Sequence, residues 1–184
     1  MTSDYPLPEG LPAPVDDGAA DHLIGLAVPD LAFSSTGGDA VSLATVPGRT
    51  IVYLYPKTGR PGVDLPDGWD AIPGARGCTP ESCGFRDHYQ DIVSARASVF
   101  GFSSQDTSYQ SEMAERLGLP FPVLSDPEFL LAGTLNLPTF EAAGERLYTR
   151  LTMALWNGSI EHVWYPVFPT DTHAQVVVHW LTGR

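Results

Sequence analysis

Apolar residues run through this chain with two different periods, and the change from one to the other marks the elements. Thr50-Ile51-Val52-Tyr53-Leu54-Tyr55 is an unbroken β-branched, aromatic and aliphatic run that ends at Pro56, and it predicts a central strand buried on both faces. Ala97 to Ser103, with Val-Phe-Gly-Phe at its centre, predicts a second buried strand, and Phe121 to Leu124 a short third. Between these strands the period lengthens. Phe85, Tyr89, Ile92 and Val93 recur at helical spacing over about 79 to 95, and Tyr109, Met113 and Leu117 lie four apart after a Ser104-Gln105-Asp106-Thr107 start, with Gly118 as the stop. A helix near 127 to 136 and a last one from about Thr172 to Leu181 complete the helical segments. Two hairpins frame them. Val28 to Phe33 and Val41 to Leu43 flank Gly37-Gly38-Asp39, while Leu151 to Leu155 and Ile160 to Tyr165 flank Asn157-Gly158, the strongest short hairpin signal. Alternating strands and helices followed by an antiparallel hairpin predict an α/β protein with a mixed central sheet covered on both faces.

Two segments fall outside this pattern. Residues 1–20 hold four prolines and several acids, which predicts an extended or flexible arm ahead of one domain over 21–184. Residues 57–77, rich in glycine and proline and carrying Trp69, exceed the usual length of a connection and predict either a functional loop or a packed excursion.

Charge narrows the range of partners. The net charge of -12 across 184 residues opposes attraction to nucleic acid or to an anionic membrane, and no basic run interrupts it. The first residues resemble neither a signal peptide nor a span, so a cytoplasmic protein, a monomer or weak homodimer, is expected. His22, His88, His162, His173 and His179 are scattered without a metal-ligand pattern, and neither a metal nor another cofactor is expected.

The chemistry concentrates in Gly77-Cys78-Thr79-Pro80-Glu81-Ser82-Cys83-Gly84-Phe85-Arg86-Asp87, which holds both cysteines of the chain. Cys78 or Thr79 is a candidate N-cap, with Pro80 suited to the first helical position and Glu81 to the first turn. A thiol there is biased toward thiolate. Lowering a cysteine from pKa ~8.5 to ~6 takes roughly 3.4 kcal/mol, whereas a helix end supplies about 0.3 to 1 kcal/mol. A cation must therefore stand beside a reactive Cys78, the candidates being Arg76, Arg86 and the distant Arg150. On an ideal helix the two cysteines would have alpha carbons roughly 8.6 Å apart, beyond the ~7 Å that a disulfide tolerates. A bond between them requires the first turns to unwind, which suits a redox cycle better than a permanent staple. A zinc half-site would need two further ligands, and only His88 is near in sequence.

This segment resembles the active-site motif of peroxiredoxins of the bacterioferritin-comigratory, or peroxiredoxin Q, type. Three more segments are similar in order: Tyr53-Leu54-Tyr55-Pro56-Lys57, Leu119-Pro120-Phe121-Pro122-Val123-Leu124-Ser125-Asp126, and Arg150-Leu151-Thr152-Met153-Ala154-Leu155. The resemblance covers roughly residue 25 to the end. It implies a thioredoxin-like fold and reduction of hydrogen peroxide and organic hydroperoxides. Cys78 matches the peroxidatic cysteine that becomes a sulfenic acid, Cys83 the resolving cysteine that condenses with it, and Arg150 the arginine that stabilises the thiolate and polarises the peroxide. A thioredoxin-type protein is the implied reductant.

The chain also departs from that pattern. Positions seven and three before Cys78, where the family places proline and threonine, are Ala71 and Ala75. Pro56 matches the family proline across an insertion of about fifteen residues, with Pro73 a second candidate, and no threonine is assigned. A redox-sensing module with little turnover, or a thioredoxin-like disulfide oxidoreductase, would share the fold; the latter normally carries a close-spaced CxxC.

Overall fold

The computed structural model describes residues 5–183. In chain order it contains β1 (Ala32–Ser35), β2 (Val41–Ser42), β3 (Arg49–Leu54), α1 (Cys78–Asp87), α2 (Tyr89–Ser94), β4 (Ala97–Ser103), α3 (Thr107–Leu117), β5 (Val123–Ser125), α4 (Leu130–Leu135), β6 (Thr139–Ala142), β7 (Glu145–Tyr148), β8 (Leu151–Trp156), β9 (Ser159–Trp164) and α5 (His173–Thr182). Seven strands form one mixed sheet in the order β2-β1-β5-β4-β3-β8-β9. β3 runs parallel to β4 and antiparallel to β8, so its backbone is paired on both sides.

The continuous apolar run of β3 is explained by two cores. Val52 and Leu54 face one, with Leu23, Phe102, Leu124, Leu131 and Tyr148; Ile51 and Tyr53 face the other, with Phe85, Ile92, Met113, Val123 and Val177. Both cysteines belong to the second core. The sheet thus carries α1, α2, α3 and α5 on the face where the thiols are buried. At its far edge Trp164 and Trp180 pack edge to face at 5.3 Å, while Trp156 is half exposed beside Arg49.

Four elements differ from expectation. The helix expected over 79 to 95 is two, because His88 (φ -98°, ψ 9°) breaks the α-helical path; its N–H closes α1 on Gly84 and its carbonyl opens α2 to Ile92. Phe85 and Ile92, one on each helix, are both fully buried. β6 and β7 form a separate two-stranded sheet that no turn motif announced, since its turn uses Ala143 (φ 52°) where asparagine is usual, followed by Gly144. β1 starts at Ala32; Ala27 and Val28 instead run along the Asn157-Gly158 turn, bridging to Ser159 and Gly158. The cap of α1 is Gly77, which places Cys78 at the first helical position and Pro80 at the third. Pro80 is tolerated there because the first four helical N–H groups have no intrahelical partner.

Residues 57–77 are a packed excursion. Trp69 is buried against Leu147 and Phe140, with ring centroids 6.4 Å apart, so the segment is pinned to the β6–β7 hairpin by a small core of its own that also includes Ala75.

Candidate active site

Gly77 adopts φ 112°, a conformation open to glycine and strained for other residues, and this turn delivers Cys78 to the start of α1. The space around it is also closed. A Cβ at this position would clash with Thr170 Oγ1 and lie 2.9 Å from Leu7. Gly77→Ala is therefore expected to cost about 2 to 4 kcal/mol and to lower the thermal midpoint by several degrees, read by circular dichroism. An unchanged midpoint would contradict this packing.

Cys78 is 3% exposed and lies at the base of a cleft of about 420 Å³. Arg150, from the turn before β8, reaches it across 72 positions of sequence: Nη2 donates to Cys78 Sγ at 3.0 Å. The guanidinium is held from several directions. Nε donates to the Gly74 carbonyl at 3.1 Å, Nη2 also to the Ala75 carbonyl at 3.1 Å, and Nη1 pairs with the buried carboxylate of Glu81. The end of the 57–77 segment thus supplies two of the acceptors that aim Arg150. The backbone N–H of Lys57, just after the buried Pro56, also acts on the sulfur, and the thiol itself faces the Ala75 carbonyl at 3.6 Å.

These contacts compete. Burial pushes the Cys78 thiol above its ordinary pKa; Arg150 and the Lys57 N–H pull it down, and the Glu81 charge pushes it up. Burial likewise lifts Glu81, to about 7, against the pull of Arg150. One guanidinium is thus shared between two buried acids, and the thiolate gains most when Glu81 is neutral. His173 is held neutral, its pKa lowered to about 3 by burial and by Arg150, and its Nε2 meets Thr152 Oγ1 at 2.8 Å.

Glu81 has a measurable signature. Its folded pKa lies above the unfolded value of 4.5, so between pH 4.5 and 7 the native state holds a proton that the unfolded state has released. Stability from this group is fully present below that window and falls as pH rises through it, by on the order of 3 kcal/mol. His173 has the opposite slope over roughly pH 3 to 6.5, because there the unfolded state binds the extra proton. The test is therefore the difference between wild type and Glu81→Gln in urea unfolding from pH 5 to 8. The wild type should lose ground relative to the variant as pH rises; a constant difference would contradict the buried, proton-holding carboxyl.

Of the other candidate cations, Arg76 lines the cleft but pairs with Asp70 at 3.0 Å, and Arg86 binds Asp87 at 2.8 Å and the Leu117 carbonyl at 2.9 Å. Cys83 is buried on α1, five positions on from Cys78, and the two are not joined by a disulfide. Gly84 packs α1 against α5: a Cβ there would meet that of Ala174 at 3.4 Å. Pro73 is exposed. Thr58 does not stand in for the family threonine, as its hydroxyl and N–H both donate to Gln105 Oε1 at 3.0 Å. Thr170, against Gly77, has a buried hydroxyl with no hydrogen-bond partner among the described residues.

The described part of the N-terminal arm lies over the site. Tyr5 and Pro6 line the cleft, Leu7 approaches Gly77, Pro14 packs on Gly74, and Asp17 accepts from Tyr165 Oη at 2.8 Å. Its prolines and acids predict only an extended or flexible arm, and no pattern in the sequence points to this placement. Among the described residues no helix is long and apolar enough to cross a membrane, and no group of three or more histidine, cysteine, aspartate or glutamate side chains is arranged to hold a metal.

The redoxin family profile matches residues 24–177. The chain belongs to the redoxin family. It is similar to peroxiredoxins of the Q/Bcp type. Peroxiredoxin Q, chloroplastic, of Oryza sativa subsp. japonica is 35% identical over 151 residues, covering 81% of this chain and 62% of the rice protein. The chain therefore spans about three fifths of the length of that relative. Peroxiredoxin Bcp of Escherichia coli (strain K12) is 28% identical over 158 residues, 83% of this chain and 91% of that one. The crystal structure of peroxidoxin BcpB from Mycobacterium tuberculosis superposes with a TM-score of 0.69 at 24% identity, over 87% of this chain and 96% of that chain. The mixed sheet flanked by helices is thus the thioredoxin-like fold of the redoxins, and the 57–77 excursion is packed against its β6–β7 hairpin.

Proposed function

We propose that this redoxin is a thiol-dependent peroxidase in which Cys78 is the nucleophile, Arg150 its electrostatic partner and Cys83 the resolving thiol. The observation that carries the reading is the Arg150 Nη2 to Cys78 Sγ contact of 3.0 Å at a helix N-terminus opening into a cleft. Arg150 holds the thiolate and faces the site where a peroxide oxygen would sit. The thiolate attacks the terminal oxygen of the hydroperoxide, the O–O bond breaks, and the leaving alkoxide or hydroxide takes a proton to become alcohol or water. The sulfur, oxidised by two electrons, is then a sulfenic acid.

Resolution requires α1 to open. Cys83 sits one and a half turns along the same helix, so its thiolate reaches the sulfenic sulfur only when the first turns unwind; the S–S bond forms as water leaves. A dithiol reductant of the thioredoxin type restores both thiols by exchange. Support for organic hydroperoxides comes from the bacterioferritin comigratory protein of Xanthomonas campestris, 21% identical, whose structure is described in terms of alkyl peroxide reduction activity.

Stopped-flow mixing with hydrogen peroxide tests the assignment. Oxidation should be fast in the wild type and absent in Cys78→Ser, with mass spectrometry showing the loss of two hydrogens after one equivalent. Slow oxidation indifferent to Cys78→Ser would sink the peroxidase reading in favour of a sensor.

A further inference from the structure

Resting on that reading, we infer that the cleft over Cys78 selects hydroperoxides that carry a carboxylate, with the anion received by Arg60 and Arg116. The chain has ten lysines and arginines against 22 acids, and four of the ten, Lys57, Arg60, Arg76 and Arg116, line this one cleft. Among the described residues three carboxylates answer them. Lys57 pairs with Glu145 at 2.7 Å and Arg76 with Asp70 at 3.0 Å, while Arg60 and Arg116 share one described carboxylate, Glu112, at 3.5 and 2.8 Å. One positive charge is in excess at that pair. Arg60 Nε is buried and meets Glu112 only as that 3.5 Å ion pair, with no hydrogen bond among the described residues, and the guanidinium is fixed over the Tyr109 ring at 4.4 Å. Arg116 is fixed by the Gly59 carbonyl at 3.2 Å and bonds also to Tyr5 of the arm.

Much of the rest of the lining is apolar. Val63, 60% exposed, lines the cleft together with Pro61 and Leu65, all from the 57–77 segment, and with Pro6 and with Pro80 of α1, beside the hydroxyl-bearing Tyr5 and Thr79. Hydrogen peroxide needs neither the cations nor the apolar wall, and about 420 Å³ is within the range of roughly 300 to 1,000 Å³ typical of pockets for larger organic ligands. An anionic group on an apolar body fits both features. Its terminal peroxide oxygen is transferred to Cys78 as described, the O–O bond breaking and the carboxylate-bearing alkoxide leaving as the alcohol after taking up a proton.

The test compares cumene hydroperoxide bearing a para carboxylate with the methyl ester of the same compound, which lacks the charge and adds one methyl group, each reacted with full-length reduced protein by stopped flow. The acid should react about tenfold faster than the ester in kcat/KM at low salt, a factor set by about 1.4 kcal/mol, and the ratio should narrow toward one near 0.5 M salt. Arg60→Gln and Arg116→Gln should each reduce the ratio, while Arg96→Gln, outside the cleft, should keep it. Equal rates for acid and ester in the wild type, or a ratio untouched by both cleft substitutions, would overturn the inference. Hydrogen peroxide run in parallel separates the two readings: rapid oxidation with no acid preference overturns the anion site alone, and no oxidation at all overturns the peroxidase as well.

Discussion

Replacing Arg150 with methionine lowers the rate constant for oxidation of Cys78 by hydrogen peroxide by about a hundredfold or more. Two effects combine to produce that expectation. The substitution removes the donor 3.0 Å from the sulfur and leaves burial to disfavour the anion unopposed by the guanidinium. It also removes the group that would stabilise charge on the departing oxygen, and loss of one such preorganised donor typically costs on the order of 10² to 10³ in rate. The single variant further strands Glu81, fully buried and paired to Arg150, and breaking a buried pair from one side costs roughly 3 to 5 kcal/mol of stability. Arg150→Met combined with Glu81→Gln restores a neutral pocket. If the slow oxidation persists in a double variant that unfolds at the wild-type midpoint, the defect is chemical; a rate that recovers there would show that Arg150 acted only through the fold.

Cys83→Ser stops catalysis after its first turnover. With no second thiol on α1, Cys78 oxidised by one equivalent of peroxide remains a sulfenic acid, and further equivalents carry it to sulfinic acid, a product that thiol exchange does not return. Intact mass after stepwise peroxide addition reads this directly: loss of two hydrogens in the wild type, gain of one and then two oxygens in the variant. Coupled turnover with a thioredoxin-type reductant should cease after that first oxidation. The wild-type step must also disturb α1, whose Phe85 is stacked on Tyr53 at 4.5 Å and whose Ser82 hydroxyl accepts from Tyr53 at 3.1 Å. Near-ultraviolet circular dichroism should therefore change on oxidation of the wild type and stay flat in Cys83→Ser. Equal loss of two hydrogens in both proteins would show that Cys83 is not the resolver.

The contrast between what was legible beforehand and what was not follows the range of the forces involved. β3 could be read from six consecutive residues because burial on both faces excludes polar side chains locally, and the Asn157-Gly158 turn because left-handed backbone restricts which residues fit. The Ala143-Gly144 turn is just as tight, but alanine carries no such mark. The site divides in the same way. Cys78 and Cys83 were visible in one short motif, whereas nothing in spacing distinguishes Arg150 from Arg76 or Arg86; only the family resemblance singled it out. Glu81 reads in sequence as a first-turn acid, and its rivalry with Cys78 for one guanidinium exists only once β8 has been brought alongside β3. The arm's position over the cleft depends on contacts from Leu7 and Pro14 to glycines sixty or more positions away, which no local period encodes.

The central claim is that a guanidinium delivered from the turn before β8 keeps the buried Cys78 sulfur ionisable. Titrating thiolate ultraviolet absorbance in Cys83→Ser, with and without Arg150→Met, tests it most directly. A charge-assisted hydrogen bond is worth about 1.5 to 3 kcal/mol, so the Cys78 pKa should rise by about one to two units when Arg150 is lost. The same pKa in both proteins would contradict the account.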